Sequence, residues 1–214
     1  MMIIESLNIG LPKKEIFYRR EMTTGICKTA TDSSLSLSAS GFEGDGVGDL
    51  RHHGGRDKAV CVYSLDHYPY WEKLLRITLP GAAFGENLTV SGLHEKDVRI
   101  GDIYEAGSAL LQVSQPRQPC GTLSARLGTD DMITLVRDSG FTGFYFRVLR
   151  TGRVKKGDQL QLKEKDKNLV TVAFANSIYY HQRTDCEGIE RVLAVDALSA
   201  SWRKSFLELK QACR

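Results

Sequence analysis

The sequence predicts an α+β chain, with a predominantly β-barrel unit followed by a small C-terminal unit of three helices. Two patterns and a count predict it. Up to about Leu162 the chain reads as short extended segments punctuated by glycine, several alternating in period two, as in a barrel or sandwich. After the charged, turn-like Lys163-Glu-Lys-Asp-Lys-Asn, glycine almost disappears and apolar residues fall at helical spacing. The count is 214 residues with 42% hydrophobic and 26% charged side chains, which fits an ordinary soluble globular chain of one domain and an appendage. The boundaries expected are 1–165 for the β unit and 166–214 for the helical unit.

In chain order, strands are expected over 2–7, 23–28, 35–39, 59–64, 87–90, 109–114, 143–149 and 159–163. Helices interrupt them at 66–75, 121–127 and 130–139, the last opened by Asp130 and Asp131 and ended by Gly140. Two stretches resemble each other, Val98-Arg-Ile-Gly-Asp-Ile-Tyr and Val154-Lys-Lys-Gly-Asp-Gln-Leu. Each is read as a tight turn feeding a strand, with glycine at positive φ and aspartate bonding back to the backbone. The helical unit divides into 171–181, 187–194 and 199–211, with Asp185 and Ser199 as caps of the second and third helices. So short a unit buries little core alone and is expected to dock on the β unit or on a second subunit, a homodimer.

The 29 basic and 26 acidic side chains leave a formal charge of +3, too small an excess for a nucleic acid polymer as partner. No stretch approaches the roughly 20 apolar residues of a membrane span, and MMIIESLNIG turns polar too soon for a signal peptide. A cytoplasmic protein with no membrane partner is expected. The five cysteines, at 27, 61, 120, 186 and 213, are odd in number and widely spaced, so reduced thiols are the expectation. Neither they nor His52, His53, His67, His94 and His181 show the paired spacing of a zinc site.

Chemistry concentrates in two places. Gly41-Phe-Glu-Gly-Asp-Gly-Val-Gly-Asp-Leu-Arg-His-His-Gly-Gly-Arg-Asp runs into a strand, and its glycines let the backbone approach a ligand closely while Arg51, His53 and Arg56 add positive charge. It matches neither a P-loop nor a dinucleotide fingerprint, so it reads as a local anion cradle or as a solvated surface loop. Gln115-Pro-Arg-Gln-Pro-Cys places Cys120 at the start of a helix with Arg117 beside it. Such surroundings favour a thiolate, suited to a nucleophile or a soft ligand. Cys61, inside an apolar strand, reads as core. Glu86 and Asn87 stand at a strand entrance, where they could face a pocket or make a turn.

Taken together and in order, His53-Gly-Gly, Gly85-Glu-Asn-Leu, Gly101-Asp-Ile-Tyr and Gln115-Pro-Arg-Gln-Pro-Cys resemble MOSC-domain proteins, the bacterial YiiM type above all, whose helical 3-alpha appendage is similar to Val170 to Arg214. The resemblance implies a MOSC β-barrel and a molybdenum cofactor, molybdenum held by molybdopterin, with Cys120 as the protein ligand to the metal. It implies Arg51, His53, Gly54, Gly55, Arg56, Glu86, Asn87 and Arg117 as cofactor-binding residues. The activity implied is two-electron reduction of small N-hydroxylated compounds, with a separate flavin or iron-sulfur protein as electron donor. A sulfur or persulfide carrier, or a cofactor carrier without redox turnover, is the alternative.

Overall fold

The computed structural model describes residues 1–18, 20–49 and 53–213. The chain opens with β1 (Ile3–Ile9), β2 (Lys13–Phe17), β3 (Arg20–Thr24), β4 (Thr29–Thr31), β5 (Leu35–Ser38), β6 (Gly41–Phe42) and β7 (Val60–Ser64). Helix α1 (Tyr68–Leu75) follows, then β8 (Leu88–Ser91), β9 (Ile103–Ala106) and β10 (Ala109–Pro116). Helices α2 (Gly121–Leu127) and α3 (Met132–Ser139) separate these from β11 (Phe144–Arg150), β12 (Gly152–Val154) and β13 (Leu160–Glu164). The chain ends with α4 (Val172–Tyr180), α5 (Cys186–Leu193) and α6 (Ala200–Gln211).

Among the described residues the main sheet has eight strands in the order β13-β9-β10-β11-β7-β8-β1-β4. Its pairs are antiparallel except β7 with β8, which are parallel and joined by the crossover through α1. The expected barrel is therefore not closed, because β13 and β4 are the two ends of the order. Isolated bonds stand where a closing ladder would run. Ile4 donates to the Asp158 carbonyl at 3.0 Å, Gly157 to that of Ile4 at 2.8 Å and Leu160 to that of Met2 at 3.0 Å. The turn at Gly157, with φ 85°, brings the chain beside β1 only briefly.

Both Gly-Asp turns have the expected form. Gly101 has φ 99°, and Asp102 and Asp158 accept backbone bonds from Arg99 and Lys155 at 3.0 and 2.9 Å. The expected strand over 23–28 instead breaks at Gly25, where a Cβ would collide with the Gly46 carbonyl; the residues beyond it become cavity wall. Asp131 precedes α3 but makes no side-chain cap, whereas Gly140 ends that helix in the left-handed region. In the helical unit, Thr171, Asp185 and Ser199 all cap their helices through side-chain oxygens.

Among the described residues, three apolar clusters form the core. Inward residues of the sheet, among them Ile4, Val62, Leu88, Val113 and Phe146, form the largest. A second gathers Trp71, Phe84, Leu123 and Met132 between α1, α2 and α3, and Cys120 packs against its edge. The third joins Ile178, Val192, Trp202 and Phe206 of the helical unit to Ile100 of the β unit, so the helices dock on their own chain. One cysteine expectation fails. Cys186, the first residue of α5, is disulfide-bonded to Cys213 beyond α6, with Cα atoms 5.7 Å apart, because α6 runs back along α5. Cys27, Cys61 and Cys120 are free.

Candidate functional site

A cavity of about 800 Å³ opens where the end of the β2–β3 hairpin, the glycine-rich loop, β7 and the start of α2 meet. The structure brings His53, Gly54, Gly55, Arg56, Asn87, Arg117 and Cys120 to its wall. Gly54 and Gly55 have φ of 81° and 84°, so the turn carrying His53 needs glycine at both positions. Arg51 and its neighbour His52 lie outside the described residues.

Glu86 does not line the cavity. It is fully buried behind it, where its carboxylate accepts the Tyr68 hydroxyl at 2.5 Å, the Thr89 hydroxyl at 2.8 Å and the Phe84 amide at 3.0 Å. Asn87 reaches the wall, but its amide serves the frame. It accepts from the Cys61 amide at 3.0 Å and donates to Asp45 at 2.7 Å. Tyr63 and Tyr68 belong to the core.

Cys120 and Arg117 lie on the cavity wall and act on each other electrostatically. Burial would raise the Cys120 thiol. A hydrogen bond from His53, the Arg117 charge and the Leu123 amide outweigh burial and bring the thiol down to about 6, so the sulfur is a thiolate at neutral pH. Cys61, the other thiol on the wall, behaves oppositely. Burial pushes it up to about 11 despite the same arginine, so it stays protonated. Burial likewise keeps the Tyr145 phenol protonated.

Arg117 is itself buried. Its backbone amide donates to Gly143 at 3.0 Å and its Nη2 to the Phe84 carbonyl at 2.7 Å. Its Nη1 is buried with no hydrogen-bond partner among the described residues. Both residues whose carbonyls hold it are braced through their amides. Glu86 takes the Phe84 amide, and Glu95, bonded to His67 at 2.7 Å, takes the Gly143 amide at 2.7 Å.

Among the described residues, four basic side chains, Lys28, Arg56, Lys58 and Arg117, line the cavity against two carboxylates, Asp45 and Asp49. Sequence reasoning missed Lys28, Lys58, Cys61 and Tyr145 as wall residues. Lys28 and Asp45 form a nearly buried ion pair, and Asp45 also accepts the Gly10 amide at 2.9 Å. Their partnership spans loops far apart in sequence. The available signal was only that Asp45 sits inside the glycine cluster.

The MOSC domain model matches residues 49–161, and a YiiM-like, 3-alpha helix domain model matches residues 170–211. The chain belongs to the MOSC-domain family, with the YiiM-like architecture. Among its relatives, YflK of Bacillus subtilis (strain 168) is 49% identical over 205 residues, which cover 96% of this chain and 93% of YflK. The crystal structure of YiiM from Geobacillus stearothermophilus superposes with a TM-score of 0.84 at 38% identity, covering 98% of this chain and all of that one. A Gibberella moniliformis (strain M3125 / FGSC 7600) protein named Reductase is 37% identical over 153 residues, covering 68% of this chain but only 26% of that protein. The MOSC match includes His53, Arg117 and Cys120. The Lys28–Asp45 wall of the cavity comes from residues before it.

Proposed function

We propose that this chain is a molybdenum cofactor-dependent reductase of small N-hydroxylated compounds, of the hydroxylaminopurine and amidoxime type, with Cys120 as the protein ligand to the metal. The observation that carries the reading is the juxtaposition of a thiolate with a buried, half-bonded guanidinium in a cation-rich cavity. A polar group buried without a partner is costly, and Arg117 Nη1 is suited to an oxygen-bearing anionic group held beside the sulfur. MOSC domains are generally associated with the molybdenum cofactor, and the relative named a reductase supports an enzyme.

The residues present fit that group. Cys120 offers a soft thiolate, and Lys28, Arg56 and Lys58 with the Gly54-Gly55 turn offer positive charge and backbone amides for its phosphate-bearing tail. Once bound, the cofactor supplies two-electron redox chemistry that no side chain here provides. The chain's own residues orient and tune. His53 and Arg117 hold the sulfur deprotonated, Glu86 and Glu95 hold Arg117, and the Tyr145 hydroxyl keeps its proton at the wall. Electrons come from a separate flavin or iron-sulfur protein.

The test is the molybdenum and pterin content of protein purified from a cofactor-competent host, wild type beside Cys120→Ser. Near-stoichiometric metal in the wild type and its loss from the variant are expected, followed by turnover of hydroxylaminopurines with a reducing partner. Two empty proteins after gentle preparation would overturn the reading and turn attention to a persulfide on Cys120.

A further inference from the structure

The β2–β3 hairpin forms a two-stranded sheet of its own. Apart from Met1, the most exposed large apolar side chains among the described residues lie on it or just before it: Leu11 at 64%, Ile16 at 71% and Tyr18 at 77%. Tyr18 turns the hairpin with φ 47°, a position that glycine or asparagine fills at less cost.

The register brings this apolar tip to the mouth of the cavity. Lys14 lies opposite Thr23 and Ile16 opposite Glu21, so these four exposed residues share one face. Thr23 also lines the cavity, and the face therefore runs on into its rim. The other face, with Phe17, Met22 and Thr24, is the more buried one. Leu11 packs beside Gly46 of the cavity wall. At the other end, a Cβ on Gly128 would collide with the Tyr18 phenol, and Gly128 closes the helix that Cys120 opens.

Charge points to the kind of partner. Lys13-Lys-Glu-Ile-Phe-Tyr-Arg-Arg-Glu has four basic residues against two acidic, and so holds two of the chain's three net positive charges. Both carboxylates are paired within the hairpin, Glu15 with Lys13 at 3.0 Å and Glu21 with Lys14 at 2.9 Å. The exposed Arg56 adds a further positive charge to the cavity wall. A rim that is apolar and positively charged fits a partner with an acidic face, because opposite charge steers the encounter and apolar contact holds it.

We infer that the outward face of the β2–β3 hairpin, centred on Ile16 and Tyr18, is the docking surface for an acidic one-electron carrier protein of the flavodoxin or ferredoxin type. The inference rests on the proposed reductase reading and names the place where its donor binds. Reduction of an N-hydroxylated compound breaks the N–O bond, releases the oxygen as water and takes up two electrons and two protons. Solvent supplies the protons. Two reduced carriers dock in turn, give up one electron each and leave oxidised, so a small, short-lived contact suits the task.

The test has two readouts on the full chain, with circular dichroism as the check on folding. The first is binding of purified flavodoxin and of purified ferredoxin, measured by calorimetry at low and at high salt. Wild type is expected to bind at least one of them and to lose affinity as salt rises. The double variant Ile16→Glu, Tyr18→Glu should weaken binding about tenfold. Leu207→Glu, at an exposed apolar position on α6, should leave it unchanged. The second readout is turnover of a hydroxylaminopurine by cofactor-loaded protein, driven either by the carrier or by reduced methyl viologen, a small donor that needs no docking face. The double variant should keep the viologen-driven rate and lose about tenfold in kcat/KM for the carrier. A wild type inert with viologen would sink the reductase reading, while the binding comparison still decides the surface. The docking surface is overturned if neither carrier binds, if the folded double variant binds as wild type does, or if Leu207→Glu weakens binding equally. Binding to phosphatidylglycerol vesicles in place of the carriers would also overturn it. If the double variant does not fold, Ile16→Glu alone carries both readouts.

Discussion

Two buried polar networks lie back to back in this molecule, and they differ in completeness. Behind the cavity, Glu86 takes three hydrogen bonds, and Glu95 takes one from Gly143 and shares one with His67. Inside it, Arg117 leaves Nη1 without a partner among the described residues, beside a thiolate. A saturated network in a low-dielectric interior holds a fold, while an unsaturated one marks where a ligand completes it. The two are coupled, since the carboxylates bind the amides of Phe84 and Gly143, the same residues whose carbonyls hold the arginine. Rigidity on one side thus lets the other side keep a half-buried thiolate and an open bond without collapsing.

The sharpest way to break this comparison is to delete one member from each network. Glu86→Leu strands two hydroxyls and an amide and is expected to cost about 4 kcal/mol in urea unfolding. Arg117→Leu removes a charge already half unpaired and should cost only about 1 kcal/mol while moving the Cys120 thiol upward. Equal costs would mean that the cavity network is as structural as the other.

Next in size is the staple on the helical unit. Reducing the Cys186–Cys213 bond reopens a loop with a sequence separation of 27, which by chain entropy costs roughly 3 kcal/mol. Thermal melts with and without reductant, beside Cys186→Ser, measure it. No change in the melting temperature would mean that the bond does not contribute to stability.

The smaller effect is one of pH. With the folded thiol at about 6 and an unfolded one near 8.5, the unfolded chain binds more protons between those values. Wild type should therefore gain stability relative to Cys120→Ser as pH rises from about 6 to about 8.5, by about 2.5 kcal/mol, and lose it again on acidification. A difference flat with pH would place the thiol in its ordinary range.

Much of the fold was legible because local chemistry dictates it. Asp185 and Ser199 cap helices wherever they fold, Gly140 ends one in the left-handed region, and the two Gly-Asp turns form from their own residues. The alternating segments read as strands fall close to β1, β5, β7, β8, β10, β11 and β13. Short strands such as β4 and β12, and the polar β2, were not legible, because they take their form from the strands they pair with.

For the site, sequence alone marked Cys120, Arg117 and the glycine turn that carries His53 as candidates, since each stands out by its immediate neighbours. Only tertiary structure decided which thiol ionises, because Cys61 and Cys120 share Arg117 and differ in burial and in the reach of His53. It also sent Glu86 behind the wall, brought Lys28 and Asp45 to the front of it, and paired Cys186 with Cys213. Those outcomes depend on distances between residues remote along the chain. Local patterning carries no term for them; they arise when the sheet and the helices pack.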